Sequence, residues 1–255
     1  MGVLLFAPFA RLRAEQQTSL RVAAAADLQF ALKDIAQQYE HQTGRKVEIT
    51  FGSSGNFFAQ IQNGAPFDVF FSADVDYPTH LQQAGLTEPN SLLKYGVGRI
   101  VIWMPSGAKI DLLAQKWDAL LETTVQKIAI ANPEHAPYGR AAVEAMKHAG
   151  IYEKVQPKLV YGENISQAAQ FVQSGNAQAG IIALSLAVSP AMKSGQRWGV
   201  PVEQYSPIEQ AVVILKSARD KDSARAFLAF VSSDAGQRTL ANYGFATPNA
   251  ATPPK

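Results

Sequence analysis

The sequence contains no cysteine. That excludes disulfides and thiolate metal sites, and it suits an oxidising compartment without requiring one. Charge is sparse and balanced, with 23 Lys and Arg against 21 Asp and Glu and a net charge of +2. Binders of nucleic acid cluster basic residues on one face, whereas these lie scattered along the chain, so no nucleic-acid partner is expected. The four histidines, His41, His80, His135 and His148, lack metal-ligand spacing, and there is no Gly-x-Ser-x-Gly elbow. Asp68, Asp74 and Asp76 flank a strand end and read as helix caps rather than as a magnesium site. Trp103, Trp117 and Trp198 are too dispersed to form an aromatic sugar platform.

No apolar run approaches the roughly 20 residues that cross a bilayer. Gly2–Ala10 is a short apolar stretch ending in small residues and followed by polar Arg11–Ser19. It is similar to the apolar part of a secretory signal, although the basic segment expected before it is missing. Residues 1–18 are therefore expected to be a leader and the chain to be exported. The proline-containing stretch 247–255 is expected to be disordered.

Between these ends the pattern alternates strand and helix. Arg21–Ala25 is a small apolar strand, and Leu28, Ala31, Leu32, Ile35, Ala36 and Tyr39 then recur at helical spacing until Gly44. Val47, Ile49 and Phe51 alternate as a strand, Phe58 and Ile61 mark a helix, and Asp68–Phe71 is a third strand. The rhythm repeats with Ile100–Met104, a helix about Leu112–Leu121, the strand Lys127–Ala131, a helix after Gly139, and strands at Leu159–Tyr161 and Gly180–Leu184. Ala211–Leu215 is a late strand, followed by two helices near Ser223–Ser232 and Ala235–Tyr243. Such a succession predicts an α/β fold with mostly parallel sheets and ligand sites at the carboxyl ends of the strands. A break near Gly96–Gly98 and a second crossing near Ser206–Gln210 divide the chain into two lobes. Residues 19–99 with 207–246 form the first, and residues 100–206 form the second.

Four short turns follow strands and open helices: Ala26–Leu28, Gly52–Gly55, Ala136–Gly139 and Glu163–Ser166. The start of a helix leaves N–H groups unpaired at the positive end of its dipole. Gathered together, the four would make a pocket for a small tetrahedral oxyanion. Gly52-Ser-Ser-Gly55 lacks the Lys-Ser/Thr ending of a nucleotide phosphate loop, so what remains is the Ser54 hydroxyl and N–H, or an ordinary cap. In the other two turns the useful donors are the backbone N–H groups of Tyr138 and Ile165, and the Tyr138 side chain need not matter. Asp27 is the awkward member, since a carboxylate 4 Å from an anion costs about 1 kcal/mol in water and several times that in a dry cleft. Either it folds back to cap its own helix, or it accepts a proton from a monoprotonated anion.

The stretches Val22–Leu28, Phe51–Gly55, Gln60–Asp68, Phe71–Asp74, Asn132–Gly139 and Tyr243–Phe245 together resemble the molybdate-binding periplasmic proteins of ABC importers. That resemblance spans Arg21–Phe245 and implies a two-lobed type II periplasmic binding protein. By the same resemblance, molybdate or tungstate would be held by Ser54, Tyr138, Ile165 and the first-turn position Asp27, with Ala26 as an additional candidate. The chain departs from the family pattern in having no hydroxyl at Asp27 and in carrying Ala183 where some members supply a tyrosine. The implied protein is a monomer that needs neither cofactor nor cationic metal and delivers its anion to a membrane permease. Other readings are a sulfate or phosphate receptor, a cytoplasmic anion sensor, or a phosphoryl- or sulfuryl-transfer enzyme using Asp27 or His135.

Overall fold

The computed structural model describes residues 19–248. The expected leader, residues 1–18, and residues 249–255 of the expected disordered tail lie outside them. The first sheet begins with β1 (Leu20–Ala25), which runs into a single 3-10 turn at Ala26–Leu28 before α1 (Ala31–Thr43). Ala31, Leu32, Ile35, Ala36 and Tyr39 form the buried stripe of α1, and Gly44 closes the helix in the left-handed region at φ 71°. β2 (Val47–Gly52), α2 (Ser54–Gln62), β3 (Val69–Ser72), α3 (Asp76–Gln83) and β4 (Leu93–Gly98) follow.

The second sheet takes β5 (Ile100–Met104), reached across Arg99, and then α4 (Leu112–Gln115), β6 (Ile128–Ala131), α5 (Pro137–His148) and α6 (Tyr152–Val155). It is completed by β7 (Leu159–Gly162), α7 (Ile165–Gln173), β8 (Ala179–Ala183), α8 (Leu184–Ala187) and β9 (Gln196–Gly199). The chain then returns to the first sheet as β10 (Ile208–Ile214) and ends in α9 (Lys221–Ser232) and α10 (Asp234–Asn242).

Strand order is β2-β1-β3-β10-β4 in one sheet and β7-β6-β8-β5-β9 in the other. β10 runs antiparallel to β3 and β4, and β5 runs antiparallel to β8 and β9, while the other pairings are parallel. Each sheet therefore has one reversed strand, and each is covered by helices. One face of the first sheet packs Val22, Phe71, Val212 and Ile214 against Leu32, Ile35, Phe227 and Leu240. Its other face packs Phe70 and Val213 against Phe57, Ile61 and Leu81. Burying such side chains contributes about 1.5–3 kcal/mol each.

Several local readings are corrected. The expected helix over Leu112–Leu121 stops at Gln115, because Lys116 takes φ 54° and the chain continues as a 3-10 turn. The helix expected after Gly139 already starts at Pro137, whose fixed φ and missing N–H suit a first turn. Gly96-Val-Gly98 is paired within β4 rather than lying in a loop, and the chain passes to the second sheet directly after it, across Arg99. Its glycine at 98 reflects close approach, since a methyl group there would overlap the Tyr138 hydroxyl and press on the Gln210 amide.

Candidate functional site

At the starts of α2, α5 and α7 the protein's own acceptors take up part of the N–H groups. In α2, the Ser53 hydroxyl is the cap, accepting from Asn56 N–H at 3.4 Å, while Gly55 N–H donates to the His135 carbonyl at 2.9 Å. Ser54 is thus the first helical residue rather than the cap. Its N–H has no acceptor among the described residues, and its buried Oγ accepts from Ala73 N–H at 2.9 Å. That bond occupies a lone pair and leaves the hydroxyl proton available to a ligand. In α7, the Asn164 side chain accepts from both Ser166 and Gln167 N–H at 3.0 Å, so Ile165 N–H is left over. In α5, Pro137 has no N–H and the N–H groups of Gly139 and Arg140 bond the Ala136 carbonyl, leaving Tyr138 N–H. Among the described residues, the N–H groups passed over are those of Ser54, Tyr138 and Ile165.

The turns are joined in a ring. Gln29, just past the first turn, bonds Ser166 of α7. Glu163, before α7, bonds Asn56 of α2. Ser53 Oγ and His135 Nδ1 lie 3.0 Å apart, beside the Gly55-to-His135 backbone bond. Tyr138 Oη donates to Asp27 Oδ2 at 2.9 Å. The first and second turns belong to the first sheet and the other two to the second, so every one of these links crosses between sheets. Gly55 is required at its position, because a Cβ there would stand 2.7 Å from the His135 carbonyl oxygen. Outside the ring, Arg140 of α5 pairs with Asp74 and approaches the Tyr77 hydroxyl at 3.3 Å.

Asp27 does not cap a helix. α1 starts four residues later behind Phe30, without a side-chain cap. The Asp27 carboxyl is instead buried at the junction of the sheets, only 1 % exposed. Oδ2 accepts from Gln210 Nε2 at 2.7 Å and from the Tyr138 hydroxyl, and Gln210 Oε1 accepts from Tyr95 Oη at 2.6 Å. Asp27's carbonyl takes the Ser185 hydroxyl at 2.7 Å. Oδ1 has no partner in a hydrogen bond of good geometry, although the N–H groups of Asp27 and Leu28 lie near enough to favour the charged carboxylate. Burial outweighs these donors and pushes the group up from 3.8 to about 6. Tyr138 and Tyr95 are held well above 10, by burial first and then by the Asp27 charge, and so remain hydroxyl donors.

The other sequence-derived candidates fall as follows. Ala26 is buried beside Asp27 in the 3-10 turn, and Ala183 is buried at the end of β8. His135 places Nδ1 3.0 Å from Ser53 Oγ and Nε2 3.8 Å from Glu163 Oε1. Asp68 does not cap a helix either; it accepts from Arg21 and Arg219, main chain and side chain alike. Asp74 accepts the Asp76 N–H at 2.9 Å besides pairing with Arg140. Among the described residues no cluster of His, Asp and Glu could hold a metal ion. Trp117 and Trp198 meet edge to face at 5.7 Å, without forming a flat platform. Sequence reasoning missed Gln210 and Tyr95. The signal for Gln210 was a lone amide opening the apolar run Ala211–Leu215.

Two α/β lobes closing on a cleft lined by helix starts define a class of solute-binding proteins. The family model described as "Bacterial extracellular solute-binding protein" matches residues 20–246, and the chain belongs to that family. It is 39% identical to the molybdate-binding protein ModA of Rhodobacter capsulatus over 225 residues, covering 88% of this chain and 87% of that one. It is also 39% identical to ModA of Azotobacter vinelandii over 233 residues, 91% of each chain. The solved periplasmic molybdate-binding protein of Azotobacter vinelandii superposes with a TM-score of 0.85 at 35% identity, covering 90% of this chain and all of that one. The sulfate-binding protein SubI of Mycobacterium tuberculosis, at 16% identity and TM-score 0.72, shares the fold.

Proposed function

We propose that this protein captures molybdate or tungstate in the interlobe cleft and presents it to the permease of an ABC importer in the periplasm, as a carrier rather than an enzyme. Residues 19–99 with 207–246 act as one lobe and 100–206 as the other, moving about the crossings at Arg99 and 200–207. The observation that carries this reading is the ring of interlobe bonds joining four turns, with the N–H groups of Ser54, Tyr138 and Ile165 passed over by the protein's own acceptors. Neutral dipoles of this kind bind a dianion without a Lys or Arg that would attract any anion. The similarity to two molybdate-binding proteins at 39% identity supports the choice of anion. Ser54, Tyr138 and Ile165 act as donors, with Asp27 and Ala26 in the remaining wall.

A second reading, a phosphate-class anion that brings its own proton, is favoured by the partnerless Asp27 Oδ1. Thermal unfolding with molybdate, tungstate, sulfate or phosphate at equal concentration tests both. An anion at a thousand times its dissociation constant adds about 4 kcal/mol, or roughly 8–16 °C in a chain of this size. A shift with molybdate and tungstate alone supports the first reading, and a shift with phosphate alone supports the second. No shift with any of the four removes the oxyanion reading.

A further inference from the structure

An oxyanion presents only acceptor oxygens unless it is protonated, and Asp27 Oδ1 is a buried acceptor that no well-placed protein donor satisfies. Its sister oxygen already has two donors, Gln210 Nε2 at 2.7 Å and Tyr138 Oη at 2.9 Å. The side chains facing the residue are Tyr138 from α5, Gln210 from β10, Tyr95 from β4 behind Gln210, and Ser185 from α8, none of them charged, and the N–H groups of Asp27 and Leu28 lie nearby without good hydrogen-bond geometry. α1, α7 and β2 also pack on this turn, but supply the carboxylate with no side-chain hydrogen bond or ion pair. His135 bonds Ser53, not Asp27. Two acceptors without a cation between them repel, and the repulsion grows as water is excluded from the closed cleft.

Resting on the oxyanion reading above, we propose that anion capture is proton-coupled: in the closed complex one proton lies between Asp27 Oδ1 and an oxygen of the anion. Molybdate and tungstate are fully deprotonated near neutral pH, so with these anions Asp27 takes the proton from solvent and donates it as an O–H. Hydrogen phosphate carries the proton in and donates it to the carboxylate. Both routes end in the same O–H···O contact. They differ in whether the solution loses a proton. Burial has already raised Asp27 to about 6, so the carboxyl needs little further bias from the bound dianion to hold a proton at neutral pH. Closure belongs to the same event, because the Tyr138 hydroxyl reaches Asp27 only from the opposite lobe.

The test is calorimetric titration of the full chain with sodium molybdate at about pH 8, in buffers of different ionisation enthalpy, repeated with inorganic phosphate. Expected is uptake of about one proton per molybdate, with the dissociation constant rising about tenfold per pH unit above about pH 7. Asp27→Asn, which offers a fixed N–H donor, should bind molybdate with no proton uptake and no such slope. Phosphate binding without net proton uptake supports the same contact filled by the ligand's own proton. Molybdate binding to the wild-type chain with no proton exchange overturns the proposal and leaves the oxyanion reading standing. Uptake that persists in Asp27→Asn, or that disappears in His135→Gln instead, also overturns it. Failure of both chains to bind any of the four oxyanions overturns the oxyanion reading itself.

Discussion

Tyr138 and Asp27, 111 positions apart in the chain, share a 2.9 Å hydrogen bond that crosses from one sheet to the other. The hydroxyl is a donor only while the lobes are together. The bond is therefore a property of the closed form, and removing it should show in binding more than in unfolding of either lobe. For Tyr138→Phe the expected outcome is a dissociation constant for molybdate several-fold to about tenfold higher, the scale of one hydrogen bond to a neutral carboxyl, about 0.5–1.5 kcal/mol. Isothermal titration checks this. An unchanged affinity would mean that only the backbone N–H of Tyr138 matters, as the sequence alone suggests.

Asp27 should weaken the empty protein in a pH-dependent way. Its carboxyl titrates at about 6 when folded against 3.8 as the ordinary value. Below about pH 4 both states are protonated and there is no penalty. Between those values the unfolded chain ionises more readily, and above about pH 6 the cost is fully present at about 3 kcal/mol. Asp27→Asn should then raise the ligand-free unfolding temperature near pH 8 and lose that advantage near pH 4. Thermal melts across the range read this directly; a constant offset at all pH values would show that the carboxyl is not buried as described.

Ser54 Oγ accepts from Ala73 N–H, which leaves its hydroxyl proton for the anion proposed above. Ser54→Ala leaves a buried N–H without an acceptor, costing about 1–3 kcal/mol of stability. It should also weaken anion binding by about tenfold to a hundredfold. Loss of stability without loss of affinity would confine Ser54 to a structural role.

Arg140, at the edge of the cleft, pairs with Asp74 and leans on Tyr77. The pair is partly exposed, with side chains 39% and 21% accessible. Arg140→Ala should therefore cost no more than about 1 kcal/mol of closure. The wild-type affinity should fall slightly with added salt and the variant's should not, a contrast that titrations at two ionic strengths resolve.

Much of this molecule is legible in its sequence, and what is not has physical reasons. The strands Arg21–Ala25 and Ile100–Met104 and the helix ending at Gly44 announce themselves because burial imposes a period and a left-handed stop on local residues. The turn residues Ser54, Tyr138 and Ile165 are readable because helix starts are local chemistry. β4 and β9 are not, since both are edge strands without a regular buried period, β9 having no buried residue, and their glycines imitate loops. The partners of Asp27 are invisible for another reason. Gln210 and Tyr138 come from opposite lobes, and only tertiary packing decides whether a carboxylate caps its own helix or is buried beneath another.

The alternation of the ring has a kinetic consequence. Gln29 with Ser166, Asn56 with Glu163, Ser53 with His135 and Asp27 with Tyr138 each hold one residue from either side. No turn can swing aside alone, because each is tied to a turn of the opposite lobe. In the carrier proposed above, an anion held behind this ring would not escape through one loosened corner. Its residence time would be set by the rate at which whole lobes part, so a transporter that pried them open would control delivery without touching the cargo.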